Sequence, residues 1–137
     1  MGECIFCQIA RNEASAEKIL ETECTVSFLD IQPRSPGHTL VVPKAHAPRL
    51  ADLEDELVAE VFRATKDVVR MLEKGLNPDA FTIGINDGKT AGQVIPHLHV
   101  NVIPRFRGDG GSAIHSVVHN PPSEAVQETA ERIRSAF

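Results

Sequence analysis

The sequence has no tryptophan, no tyrosine, only three cysteines and no excess of basic residues. Its 14 lysines and arginines are outnumbered by 19 acidic residues, which gives a net charge of −5. Without a basic arm or stripe, a nucleic-acid partner is not expected. No apolar run approaches the roughly 20 residues that span a bilayer, so no membrane association is expected either.

The N-terminal stretch MGECIFCQIA lacks the basic and apolar regions of a secretory signal. Cys4 and Cys7 form a C-x-x-C pair, and so few cysteines fit a reducing compartment better than a disulfide scaffold. We therefore expect a cytoplasmic protein. Its 137 residues are enough for one hydrophobic core, which predicts a single domain over residues 1–137.

The order of elements predicts an antiparallel α+β fold. A hairpin is expected from Lys18–Glu21 and Thr25–Asp30, and HTLVVPK is typical of a buried strand. Apolar residues at helical spacing predict one amphipathic helix over Asp52–Lys74, ended by Gly75. The strands AFTIGIN and HLHVNVIP flank the loop DGKTAGQVI, and a shorter final helix follows with Ser123 as its N-cap.

A row of polar side chains is predicted on the last strand. Residues two apart on a strand point to the same face, so His97, His99 and Asn101 share one face. The residues between them then face the core: Leu98, Val100 and Val102. Such a row could consist of partly solvated positions only, but two alternating histidines after a glycine-rich loop favour a functional site.

Phosphate chemistry is the function that the loop and the histidines suggest together. The glycines at 84, 88 and 92 allow backbone N–H groups to approach an anion closely, although turns also use glycine. A neutral imidazole is nucleophilic near pH 7. A backbone carbonyl could hold one ring nitrogen as N–H and leave the other free. His38, His115 and His119 have no partner in the sequence pattern and are interpreted as surface or loop residues.

At these residues the sequence resembles the histidine triad (HIT) family, whose signature is His-φ-His-φ-His-φ-φ with φ apolar. HLHVNVI matches it except at the third histidine, which is Asn101. The resemblance continues through NDGKTAGQVIP, FLDIQPRSPGHTLVVPKAH and CIFCQI. It implies a five-stranded antiparallel sheet with a long helix, paired as a homodimer with a ten-stranded sheet.

The resemblance also implies a nucleotide site. HIT proteins bind nucleotides, commonly purine ones, and hydrolyse or transfer nucleoside monophosphates through a nucleotidyl-histidine intermediate. The middle histidine, here His99, is the nucleophile. Phe28 and Ile31 would border the base, and Asp30 would hold the ribose hydroxyls. From the residues alone, Asp30 could equally be a turn residue and the other two could belong to the core. The expected phosphate site comprises Asn86, Gly92, Gln93, Val94 and Asn101.

The amide at the third position bears on the leaving group. In the family the third histidine reaches the phosphate oxygens and the bridging atom, whereas Asn101 can donate a hydrogen bond but cannot transfer a proton at neutral pH. General acid catalysis is worth about 10²–10⁴-fold, so amine leaving groups should suffer most. Nucleotides or magnesium-bound pyrophosphate leave without much protonation. The galactose-1-phosphate uridylyltransferase branch has an amide here too, so nucleotidyl transfer is compatible with Asn101.

The C-x-x-C pair could be redox-active, metal-binding or merely buried. Some HIT proteins complete such a pair with two histidines to form a structural zinc site. The matching positions in this chain are Cys4, Cys7, His46 and His97. A Cys₂His₂ set is a closed tetrahedral site that suits a structural metal.

The sequence is compatible with three functions. The first is a nucleotidyl hydrolase or transferase that acts on purine nucleoside phosphoramidates or dinucleoside polyphosphates. The second is a nucleotide-binding regulatory module with little turnover because of Asn101. The third is a zinc-stabilised dimeric interaction protein.

Overall fold

The computed structural model describes residues 3–137 and consists of one sheet with three helices. The elements in chain order are α1 (Ile5–Ala10), β1 (Lys18–Glu21), β2 (Thr25–Leu29), β3 (Thr39–Pro43), α2 (Asp55–Leu76), β4 (Ala80–Gly84), β5 (Val100–Arg105) and α3 (Val126–Arg134). All four strand pairings are antiparallel, in the order β1-β2-β3-β5-β4. The predicted hairpin and the predicted helices are present.

One face of the sheet is covered by α2. Val61, Val68 and Leu72 recur along one side of this helix and are at least 95% buried. They pack on strand residues that include Val41 and Val100. Burial of this apolar stripe is the main reason that a helix forms here, because isolated helices depend on tertiary packing for stability. Within residues 3–137, no helix is both long and apolar enough to cross a membrane.

The opposite face carries a smaller core under α1. Phe6 of this short helix packs edge-on against Phe28 of β2, with ring centroids 5.5 Å apart. The surrounding apolar side chains complete the cluster: Ile9, Val26, Leu40 and Val42. α1 covers only part of this face. The candidate site lies beside it, between α1, the strands β2 and β3 and the loop that precedes β5.

The boundaries of α2 differ from those expected. Leu50–Asp52 forms a separate 3₁₀ turn, and Leu53 is extended, so α2 begins only at Asp55. The expectation that Gly75 ends the helix was wrong. The helix continues to Leu76 and ends at Asn77, which adopts the left-handed conformation that asparagine tolerates, followed by Pro78.

The last two elements also begin later than expected. Ser123 is not the N-cap of α3, because residue 125 is still extended and the first helical turn closes onto its carbonyl. Regular pairing of β5 starts at Val100, after the two histidines, since the N–H of Leu98 bonds instead to the carbonyl of residue 47. The alternation of side chains persists nonetheless: Leu98, Val100 and Val102 are at least 99% buried, on the side of α2.

Candidate functional site

Among the described residues, one ring nitrogen of His99 has a hydrogen-bond partner and the other has none. Its Nδ1 lies 2.8 Å from the carbonyl oxygen of His97. A carbonyl can only accept a hydrogen bond, so Nδ1 carries the proton in the neutral ring and Nε2 keeps its lone pair. Phe6 packs edge-on against the ring at 5.2 Å between centroids and fixes its plane. The lone pair on Nε2 is what a nucleophilic imidazole requires.

A cavity of about 490 Å³ opens beside His99. Six of the residues expected around a nucleotide line it together: Phe28, Asp30, Ile31, Gly92, Val94 and His99. Phe28 is 97% buried at its floor, whereas Ile31 and Val94 are 94% and 86% exposed at its rim. An apolar floor with a single carboxylate at one end suits a flat apolar ring joined to a group with hydroxyls.

Asp30 keeps acceptor capacity for a ligand. Its Oδ1 accepts a hydrogen bond from the backbone N–H of Gln32 at 2.9 Å, so Asp30 does serve as a turn residue. Its Oδ2 lies 3.8 Å from Nε2 of His38, beyond hydrogen-bond distance. The turn therefore positions a carboxylate that can still accept two hydroxyl protons.

The glycine-rich loop is shaped by two of its glycines. Gly88 and Gly92 have φ of 108° and 100°, a region that other residues rarely adopt. Gly84 is an ordinary strand residue at the end of β4. Gln93 closes the loop, accepting from the N–H of Gly88 at 2.9 Å and donating to the carbonyl of Pro48 at 2.6 Å. Its side-chain amide is therefore already engaged within the protein and does not line the cavity described above.

The two expected asparagines lie outside the lining of the cavity. Asn86 stands behind the loop, with its side chain 3.8 Å from the position of a Cβ on Gly92. Asn101 lies two residues after His99 on the same face of the sheet. Its Oδ1 is 3.0 Å from Nε2 of His38, and its Nδ2 is 3.4 Å from the carbonyl of Gly84.

His38 is a site residue that sequence reasoning missed. It was expected at the surface, but it is 96% buried. Its Nδ1 accepts a hydrogen bond from the backbone N–H of Arg34 at 3.1 Å, so the neutral ring carries its proton on Nε2 and donates to Asn101. The signal for it was its place just before β3, the strand that pairs with β5. His115 and His119 are exposed, as expected.

Four side chains from distant segments form a compact cluster on the other side of His97. The ligand atoms of Cys4, Cys7, His46 and His97 all lie within 4.8 Å of one another. Nδ1 of His46 is 3.2 Å from Nδ1 of His97, and the sulfur–nitrogen contacts measure 3.4 to 3.5 Å. The resemblance implied this set of four residues, and the fold brings them together.

The spacing fits a tetrahedral metal ion. Bond lengths of about 2.1 Å to nitrogen and 2.3 Å to sulfur separate the ligands of a tetrahedral zinc by roughly 3.3 to 3.8 Å. His97 is also in the tautomer that ligation needs, because its Nε2 donates to the carbonyl of Pro43 at 2.8 Å and leaves Nδ1 free. Burial lowers the pKa of His97, so its ring is neutral at pH 7. The cluster could therefore bind a metal ion.

These features define a class of protein: an α+β domain that presents a histidine with a free ring nitrogen between an apolar cavity and a glycine-rich loop. The match to a known family is direct. Residues 11–108 match the family model described as the HIT domain. The chain belongs to this family, and its five-stranded antiparallel sheet with a long helix is the HIT fold.

Two relatives from one organism are named for the cleavage of nucleotide compounds. Over 132 residues the chain is 33% identical to adenosine 5′-monophosphoramidase of Schizosaccharomyces pombe, covering 96% of each chain. It is 40% identical over 88 residues to an asymmetrical bis(5′-nucleosyl)-tetraphosphatase of the same organism, covering 64% of this chain and 48% of that one. An uncharacterized HIT-like protein of Methanocaldococcus jannaschii is 43% identical over 78% of this chain and 82% of its own.

Solved structures agree over almost the whole chain. A HIT family member from Bacillus subtilis superimposes with a TM-score of 0.87 at 32% identity, covering 99% of this chain and 98% of that one. A zinc-bound histidine triad protein from Mycobacterium smegmatis superimposes with a TM-score of 0.74 at 33% identity, covering 98% and 97%.

Proposed function

We propose that this protein is a purine nucleotide hydrolase or nucleotidyl transferase that works through a nucleotidyl intermediate on His99. The observation that carries the proposal is the hydrogen bond from Nδ1 of His99 to the carbonyl of His97, since it leaves Nε2 free beside the cavity. The named activities of the relatives from S. pombe support a phosphoramidate or a dinucleoside polyphosphate as substrate.

In the proposed reaction, Nε2 of His99 attacks the α-phosphorus. The new nitrogen–phosphorus bond forms as the bond to the leaving atom breaks, and the electron pair departs with that atom. A nitrogen leaving atom then takes its proton from solvent, because Asn101 has none to give; a magnesium-bound polyphosphate needs none. Water or another acceptor then attacks the intermediate, and the nucleotide departs from His99.

The residues of the cavity would bind and orient the nucleotide. Phe28 would pack on the base, and Asp30 would accept the ribose hydroxyls. The backbone at Gly92 and the amide of Asn101 would donate to the phosphate oxygens, where negative charge grows in the transition state. Such donors accelerate the reaction only if they bind the transition state better than the substrate.

A substrate panel tests the proposal. The panel contains adenosine phosphoramidates, dinucleoside polyphosphates and their guanosine and cytidine analogues. We expect the purine substrates to be cleaved faster than the cytidine substrates. Asn101 also favours a second candidate, a regulatory module that binds nucleotides with little turnover. Stabilisation of the protein by purine nucleotides without cleavage of any substrate would favour this second function over the first.

We also propose that the cluster at His97 holds a structural zinc. Zinc would be held by Cys4, Cys7, His46 and His97 and would tie α1 to the strand that presents His99. A metal that binds only the folded state at a thousandfold excess over its Kd stabilises it by about 4 kcal/mol.

Replacement of Cys7 by serine is expected to remove the metal and most of this stabilisation. Metal analysis and thermal unfolding measure the two effects. Cys24→Ser is the matched control, because Cys24 is the free cysteine outside the cluster, and it should retain about one zinc per chain. A wild-type protein that contains no metal, and whose unfolding is unchanged by chelators or added zinc, would refute the zinc site.

His38 is expected to act as a positioning residue for Asn101. Its Nε2–H holds the oxygen of the amide and so fixes which end of Asn101 is the NH₂ donor, which lies 3.4 Å from the carbonyl of Gly84. His38→Leu should lower kcat by about tenfold with little change in KM, since an uncompensated hydrogen bond costs about 1–3 kcal/mol. His38→Gln should recover most of the rate, because its amide N–H can donate to Asn101. Equal rates in both variants would show that His38 contributes only to packing.

A homodimer with a ten-stranded sheet is proposed for the whole protein. β4 is an edge strand of the sheet, and Ile83 on it and Phe62 on α2 are 41% and 45% exposed. Apolar residues at an unpaired edge favour association with a second copy. Sedimentation at micromolar concentration should give twice the mass of the 137-residue chain, and a monomer would contradict the proposal.

A further inference from the structure

A second cavity, of about 270 Å³, lies on the same face of the sheet as His99. Its floor includes Thr82 of β4 and Ile103 of β5. Arg34 and Ser35, from the loop after β2, form one wall, and residues 109–117 of the C-terminal segment form the other. None of the residues expected around the nucleotide lines it.

The position of this cavity relates it to the phosphate. Side chains two residues apart on a strand are separated by about 6.7 Å along one face. His99, Asn101 and Ile103 therefore follow one another in a row, with the nucleotide cavity beside the first and the second cavity at the third. Gly84, which pairs with Asn101, lies between them, and Cδ1 of Ile114, a residue of the second cavity, covers it at 3.7 Å from the position of a Cβ. A group that leaves a phosphorus held between His99 and Asn101 would enter this cavity.

The two arginines that line the cavity differ in their contacts. Arg105 is fully engaged: it pairs with Asp109 at 2.7 Å and donates to Thr82 and to the carbonyl of Ser112, both at 2.9 Å. These contacts hold the pKa of Asp109 well below its usual range, because Arg105 and two backbone N–H groups stabilise the carboxylate. Among residues 3–137, the guanidinium of Arg34 has no ion pair and no hydrogen-bond partner.

A buried donor lies next to this arginine. The hydroxyl oxygen of Ser35 is inaccessible to solvent, and it has no hydrogen-bond partner among the described residues. Buried polar atoms without partners are rare and call for an explanation. A ligand oxygen in the cavity would provide one, since the Ser35 hydroxyl and the Arg34 guanidinium could donate to the same anionic group.

We propose that this cavity binds the leaving group and selects leaving groups that carry a carboxylate or a phosphate. The proposal rests on the nucleotidyl transfer proposed above, and it assigns the substrate class on the side of the phosphorus away from the nucleoside. Arg34 and Ser35 would be the specificity-determining residues. The apolar side chains of Ile103 and Ile114 would pack on the linker between the leaving atom and the anion.

Three matched adenosine phosphoramidates test the proposal. Their amines share one linear linker and end in a carboxylate, a phosphate or a neutral carboxamide. Arg34→Gln should lower kcat/KM for the two anionic substrates by about tenfold, as expected for loss of a hydrogen bond between charged groups, and should leave the carboxamide within twofold. Each substrate is compared between the wild type and the variant, so differences in amine basicity among the substrates cancel. The larger of the two anionic effects identifies the natural anion.

Arg70→Gln is the control, because Arg70 of α2 is also exposed and forms no ion pair within residues 3–137. It should change none of the three rates. The backbone N–H of Arg34 that bonds to His38 is retained in Arg34→Gln, so the position of Asn101 is preserved. Ser35→Ala should produce a smaller loss with the same selectivity. An equal effect of Arg34→Gln on all three substrates, or none, would overturn the proposal.

Binding measurements distinguish a failure of the cavity proposal from a failure of the proposed function. The affinities of the same three compounds are measured in a His99→Ala background, in which they remain intact. With Arg34 present, the anionic compounds should bind about tenfold more tightly than the carboxamide, and Arg34→Gln should remove this difference. That result supports the cavity even if the wild-type chain cleaves none of them, and equal affinities would refute it.

Discussion

Replacement of His99 by alanine is expected to abolish turnover, with a fall in kcat of the order of 10⁴-fold or more, as when other covalent nucleophiles are removed. The reason is chemical: in the proposed mechanism the unprotonated Nε2 of His99, beside the cavity, is the nucleophile. Steady-state rates on the best substrate of the panel measure the effect. Nucleotide affinity should stay within about tenfold, or 1.4 kcal/mol, because most of the cavity is unchanged.

His119→Ala is the matched control for this prediction. His119 is exposed in the C-terminal segment, away from both cavities, and its loss should leave the rate unchanged. If His99→Ala retained the wild-type rate, the assignment of the nucleophile would be wrong.

Replacement of Asn101 by histidine should raise the turnover of alkylamine phosphoramidates by about 10²-fold, the lower part of the range for acid–base assistance. The Nε2–H of His38 is directed at position 101. An introduced imidazole can accept that hydrogen bond with one nitrogen and present its other nitrogen, as N–H, to the leaving atom. Substrates with acidic leaving groups should gain little, and so should binding. Rates are compared over leaving groups of graded basicity.

Asn120→His controls for the added imidazole, since Asn120 is exposed in the C-terminal segment. It should leave every rate unchanged. If Asn101→His changed all leaving groups equally, position 101 would serve only to hold the phosphate, and the argument from acid catalysis would fail.

The sequence predicted those parts of the site that depend on neighbouring residues. The alternation of HLHVNV is a local property, and it correctly indicated that His99 and Asn101 share a face opposite the core. A carbonyl that accepts a hydrogen bond from one ring nitrogen of His99 was also predictable, because the carbonyl of His97 is only two residues away. The four cluster residues were identified through the family pattern and not through physics, since they come from three separated segments.

Contacts across the fold were not predictable in this way. His38 and Asn101 are 63 positions apart, and only the pairing of β3 with β5 makes them neighbours. The same holds for Gln93, whose amide is engaged by Pro48 across 45 positions. The predicted end of α2 was wrong for a local reason. Gly75 was expected to end the helix, but Asn77 can also adopt the left-handed conformation and precedes a proline.

The covalent intermediate is the central claim, and trapping it is the most direct test. Wild-type protein is mixed with a labelled adenosine phosphoramidate, quenched within milliseconds in alkali, and cleaved after lysine and arginine. His97 and His99 fall in one peptide, residues 90–105, and fragmentation of this peptide locates the label. A nucleotidyl group should appear on His99 and should form and decay at the rate of turnover. A label on any other residue, or turnover with no covalent species at any time, would contradict the claim.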